Sequence, residues 1–107
     1  MSSFSDREKA YENKFAHDAE LRFKAQARRN KALGLWAASL LGKTGAEAEA
    51  YAAEVVKADL EEAGEEDVFR KVRGDFDAAG VDQSDHQIRR QMAELLVAAA
   101  EQIEKEA

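Results

Sequence analysis

Apolar side chains recur along this chain at the spacing of one helix face, with charged and small polar residues filling the positions between. Leu33, Trp36, Ala37, Leu40 and Leu41 fall at i, i+3, i+4, i+7 and i+8. Tyr51, Val55, Val56, Leu60 and Ala63 make a second stripe, Val68 or Phe69 with Val72, Phe76 and Ala79 a third, and Ile88, Met92, Leu95, Ala99 and Ile103 a fourth. Four amphipathic helices joined by short connections must cover one another's apolar faces, so the pattern predicts a compact four-helix antiparallel bundle, with Trp36 at its centre.

The breaks between stripes carry helix-ending and helix-starting chemistry. Gly42, Gly45, Gly64 and Gly80 sit where a left-handed residue would close a helix without a Cβ clash. Helix starts are signalled by Ser or Thr three residues before Glu or Gln: Ser5 with Glu8, Thr44 with Glu47, Ser84 with Gln87. Glu65, Glu66 and Asp67 place negative charge at the start of the third stripe, where the helix dipole favours it.

The first nineteen residues depart from this pattern. Phe4, Tyr11 and Phe15 can share a helical face, but charged and small residues separate them, and a short helix without tertiary support is marginal in water. The expectation is a helix-prone, mobile N-terminal arm over residues 1–19, followed by the bundle over 20–107. Phe4, Tyr11 and Phe15 are then candidate anchors for a partner's groove. If Phe15 is such an anchor, Phe15→Ala leaves the melting temperature nearly unchanged.

Composition narrows the class. The chain has 107 residues, room for one core, with 45% hydrophobic and 36% charged residues and no proline. Strands are not expected from so much Ala, Glu, Lys, Leu and Arg. The absence of cysteine removes disulfides and thiolate metal sites and fits a reducing compartment. Neither a secretory signal nor a stretch long enough to cross a bilayer is predicted, so the expected location is cytoplasmic, without membrane insertion.

The net charge of −6 conceals segregation. Residues 21–46 hold six basic groups and no acidic ones, whereas residues 47–107 hold seven basic and seventeen acidic. Arg22, Lys24, Arg28, Arg29 and Lys31 form a basic patch, but the acidic remainder would repel phosphate, and nucleic acid is not the expected partner. A solvated face that offsets acidic neighbours is the simpler reading.

Catalytic chemistry finds no foothold. Gly42-Lys43-Thr44 resembles the end of a phosphate-binding loop, but Ala37 stands where its first glycine is required and a helix, not a strand, precedes it. His17 and His86 lack metal-ligand spacing. No spacing singles out an acid-base pair, and neither a nucleophile elbow nor a dinucleotide fingerprint is present. The residues point to a protein that grips another protein: not an enzyme, with no cofactor and no metal.

A set of residues is familiar as a group: Phe4 with Asp6-Arg7, Lys14-Phe15-Ala16-His17-Asp18, Phe23-Lys24, Arg28-Arg29-Asn30, and Leu33-Gly34-Leu35-Trp36-Ala37-Ala38, followed by Tyr51, Val55-Val56, Asp59, Gly64, Val68 and Lys71-Val72. Together they resemble the zeta subunit of alphaproteobacterial F-type ATP synthases, an ATPase-inhibitor protein. The likeness is dense from Phe4 to Gly42 and thins after Asp75. It implies a four-helix bundle, a monomer when free, whose N-terminal arm enters the catalytic head of the synthase between the alpha, beta and gamma subunits, at the cytoplasmic face of the inner membrane. There it blocks rotation in the hydrolytic direction. Partner contacts would come from Phe4, Asp6, Arg7, Tyr11, Lys14, Phe15, His17 and Asp18 of the arm, continued by Arg22, Lys24, Arg28 and Arg29. A helical adaptor for an unrelated protein is the alternative.

Overall fold

The computed structural model describes residues 3–15, 17–61 and 65–106. Its described residues are all-helical: α1 Phe4–Phe15, α2 Ala19–Leu40, α3 Ala46–Glu61, α4 Glu65–Ala79 and α5 Asp85–Glu106. That is five helices where the stripes predict four; the additional one, α1, lies within residues 1–19, for which a helix-prone arm is expected. Gly42, Gly45 and Gly80 have the positive φ that the breaks require (77°, 56° and 71°). Gly64 and Ala63 lie outside the described residues.

Helix starts follow the expected chemistry at one of three sites. Ser84 N–H donates to Gln87 Oε1 (2.8 Å) and Gln87 N–H to Ser84 Oγ (3.1 Å), a complete reciprocal cap for α5. At the N-terminus the same exchange is made two residues earlier than predicted, by Ser3 and Asp6, which leaves Ser5 and Glu8 as ordinary helix residues. Thr44 contributes its backbone carbonyl to Glu47 N–H, and α3 begins beyond it at Ala46.

The main core lies between α2, α3, α4 and α5. Leu33, Val55, Val68, Val72, Phe76 and Ile88 are fully buried there, with Ala37, Ala38, Tyr51, Phe69 and Met92. Each large side chain of this set contributes roughly 1.5 to 3 kcal/mol by leaving water. Trp36 is not at the centre: it is half-buried at the rim, edge-on to Phe76 with ring centroids 5.7 Å apart. Leu40 and Leu60, predicted to be interior, are exposed. What brings α2 and α3 together is Gly34, where a Cβ would stand 2.6 Å from Ala52 Cα, so only glycine allows the two backbones this approach. Tyr51 ties α3 to α4 by donating its hydroxyl to Asp75 (2.7 Å), and burial together with that bond raises its pKa well above the ordinary 10.

A smaller second cluster holds α1. Phe15 is 2% exposed and packs with Ala25 of α2 and Ala100 of α5, covered by Tyr11, Leu21, Leu96 and Ile103. In this structure Phe15, a candidate anchor, is thus packed inside the protein and not presented to solvent. The aromatic stripe of the arm is thin, but the last turns of α5 complete it, and cross-helix ion pairs supply the rest of the seam.

Candidate protein interface

The functional residues suggested by the sequence divide between α1 and the start of α2. On α1, Phe4, Arg7, Tyr11, Lys14 and Phe15 recur at intervals of three and four and so occupy one face. That face is turned to α5. Arg7 donates from Nε to Glu101 Oε2 (2.9 Å) and from Nη2 to Glu101 Oε1 (2.7 Å), the two-pronged geometry in which a guanidinium matches a carboxylate. Through this bond Glu101 is held below its ordinary pKa and Arg7 above its own. Lys14 Nζ lies 3.0 Å from Glu104 Oε1, one helical turn along. The Tyr11 ring stacks on Phe15 (centroids 5.4 Å, interplanar angle 21°), and burial raises its phenol pKa. Phe4, at the far end, is half-buried.

Asp6 and Asp18 have local duties. Asp6 donates its N–H to Ser3 Oγ and accepts from Ser3 N–H at the start of α1, and Asp18 Oδ1 accepts from Glu20 and Leu21 N–H (3.1 Å each) as the N-cap of α2. Asp18, expected at the partner contact, carries no local mark of a cap, because Leu21 stands three residues on where a capping box has Glu or Gln. His17 is exposed in the turn between the helices.

The basic stretch of α2 does not form one patch. Arg29 is buried (1% exposed), with Nε donating to Asn30 Oδ1 (2.7 Å) and Nη1 3.3 Å from Glu65 Oε1. Its guanidinium, assigned from the sequence to partner contact, is therefore occupied within the fold in this conformation. The amide nitrogen of Asn30 is buried with no hydrogen-bond partner among the described residues. Arg28 is held by Glu106 through two bonds of 2.6 and 2.9 Å, which depress the Glu106 pKa. Much of the basic charge thus neutralises acidic α5 and α4, as a charge-offsetting face would. Arg22 and Lys24 remain exposed, and between them stands Phe23, 61% exposed. Phe23, Leu21, Val56 and Ile103 line an open groove of about 740 Å³ whose rim includes Lys24 and Lys31. Phe23 is not among the expected contacts, although it is an aromatic off the buried stripe, flanked by two cations.

Among the described residues no helix is long and apolar enough to cross a membrane. Nor do three His, Cys, Asp or Glu side chains gather there as a metal site would need.

Comparison with known proteins supplies what geometry cannot. A family model described as ATPase inhibitor subunit zeta matches residues 1–102. A solved solution NMR structure is 53% identical to the chain, covering 81% of this chain and 99% of that one, and superposes with a TM-score of 0.70. No curated protein matches.

Proposed function

The chain belongs to the ATPase inhibitor subunit zeta family, and on that premise we propose that it suppresses ATP hydrolysis by the F-type ATP synthase through insertion of α1 into the catalytic head. As a member of an inhibitor-subunit family it is not an enzyme. In this reading residues 20–107, carrying α2 to α5, are a four-helix bundle, and residues 1–19 are the inhibitory arm. The arm enters between the alpha, beta and gamma subunits, at the cytoplasmic face of the inner membrane, and obstructs rotation in the hydrolytic direction.

The observation that carries the reading is the single face of α1 on which Phe4, Arg7, Tyr11, Lys14 and Phe15 recur. Aromatic side chains supply most binding energy when desolvated in a pocket, and Arg7 and Lys14 set register and speed encounter. Arg22, Phe23 and Lys24, exposed just beyond the turn at His17 and Asp18, continue the contact onto α2. Arg29, buried in the fold, and Asp18, the cap of α2, also serve the structure itself.

Deleting residues 2–18 tests this. The truncated protein is expected to fold and to lose inhibition of ATP hydrolysis, and the full chain is expected to capture alpha, beta and gamma subunits in a pull-down. Full potency after truncation would remove α1 from the mechanism. Capture of an unrelated protein in place of the synthase subunits would favour the adaptor.

A further inference from the structure

We infer that α5 is an internal competitor for the inhibitory face of α1, so that the free protein is latched and release of α1 gates inhibition. The inference rests on the reading of α1 as the inhibitory segment. Its basis is geometric: on the face that carries Phe4, Arg7, Tyr11, Lys14 and Phe15, the last four are already engaged with α5. Glu101 holds Arg7 through two bonds of 2.9 and 2.7 Å, Glu104 lies 3.0 Å from Lys14, and Ala100 lies under Phe15. One helix face cannot serve α5 and a partner at once.

The seam is also built to part. Its apolar residues form a cluster of their own, apart from the main core of α2 to α5. Two clefts open along it: about 130 Å³ between Ala10, Phe15, Ala100 and Glu101, and about 330 Å³ between Tyr11, Glu65, Arg89 and Leu96. Close packing is therefore incomplete around α1. At the hinge, Asp18 caps α2 with its own carboxylate, so the first turn of α2 keeps those bonds when α1 leaves. Glu101 and Glu104 further describe what the partner must offer: carboxylates about one helical turn apart beside an apolar seat. The apparent affinity for such a groove falls by the fraction of molecules whose α1 is free.

The test reverses the latch charges outside the proposed inhibitory helix. Glu101→Lys and the double variant Glu101→Lys/Glu104→Lys are compared with wild type in the full chain, by amide hydrogen exchange and by titration of ATP hydrolysis on the synthase. Both glutamates are partly solvent-facing, with side chains 45% and 40% exposed, so α2 to α5 are expected to keep their protection. Exchange in Phe4–Phe15 should accelerate about 5-fold in the single variant and further in the double, with the half-inhibitory concentration falling in step. Faster exchange with an unchanged or higher half-inhibitory concentration would overturn the competition. Unchanged exchange in both variants would overturn the latch itself. Failure of all three proteins to inhibit at saturation would instead overturn the functional reading, while the exchange data still report on the docking of α1.

Discussion

Arg29 shows how strongly position governs what a charged residue does. Burying a guanidinium is costly unless it is paired and hydrogen-bonded, and here Nε reaches Asn30 and Nη1 reaches Glu65. Arg29→Lys keeps the charge but loses the planar fork that reaches both partners. It is expected to destabilise the protein by about 1 to 3 kcal/mol in urea unfolding, with little direct effect on partner binding. Two phenylalanines make a sharper contrast. Phe76 is fully buried in the main core, and Phe76→Ala is expected to cost roughly 3 to 5 kcal/mol and to lower the melting temperature by more than about 10 °C. Phe15 is nearly as buried, but its loss can cost no more than the docking of α1. Phe15→Ala should therefore produce a much smaller thermal shift, accompanied by loss of α1 amide protection. An equal fall in melting temperature for both variants would mean that α1 and the bundle unfold as one unit.

At the scale of the element, two helix glycines have opposite expected responses to the same substitution. Alanine is the better helix former by about 1 kcal/mol. At Gly74 in α4 a new Cβ meets nothing within 4 Å, so Gly74→Ala should stabilise by about 0.5 to 1 kcal/mol. At Gly34 the same methyl collides with Ala52 and forces α2 from α3, an overpacking of about 1 to 3 kcal/mol that outweighs the propensity gain. Urea denaturation of the pair separates the two effects, and stabilisation by Gly34→Ala would contradict the close crossing. Helix α1 also has its own acid response. Glu101 is held below its ordinary 4.5 by the bond from Arg7, with Lys105 on the same helix adding to the effect. A lowered folded-state pKa means stabilisation that is complete above the unfolded value and lost as pH falls through the folded one. Protection of α1 amides is thus expected to be flat near neutrality and to fall below about pH 4.5, with high salt weakening the seam in the same direction. Loss of protection between pH 8 and 6 would point to a group other than Glu101.

Across the whole molecule, charge segregation is resolved by folding. Basic residues of α1 and α2 meet acidic residues of α4 and α5 through Arg7 with Glu101, Lys14 with Glu104, Arg28 with Glu106 and Arg29 with Glu65. Because the main core draws only on α2 to α5, removing α1 should leave a cooperative bundle with its Phe76 and Trp36 environment intact, measurable by near-ultraviolet circular dichroism. The same arrangement explains why much of the site was legible in advance and part of it was not. The aromatic spacing of Phe4, Tyr11 and Phe15 could be read as a helix face directly. That α5 covers this face could not, since Arg7 and Glu101 are 94 residues apart and no local pattern links them.

Helix identity and the places where helices end were determined by the sequence alone. Periodic apolar positions, left-handed glycines at 42, 45 and 80, and the Ser84 cap act through neighbours within a few residues. Tertiary structure alone decided the burial of Arg29, the displacement of Trp36 to the rim, the need for glycine at 34 and the docking of α1. Each of these depends on which side chains from distant segments arrive at the same place, and helical periodicity specifies a face without specifying what will cover it.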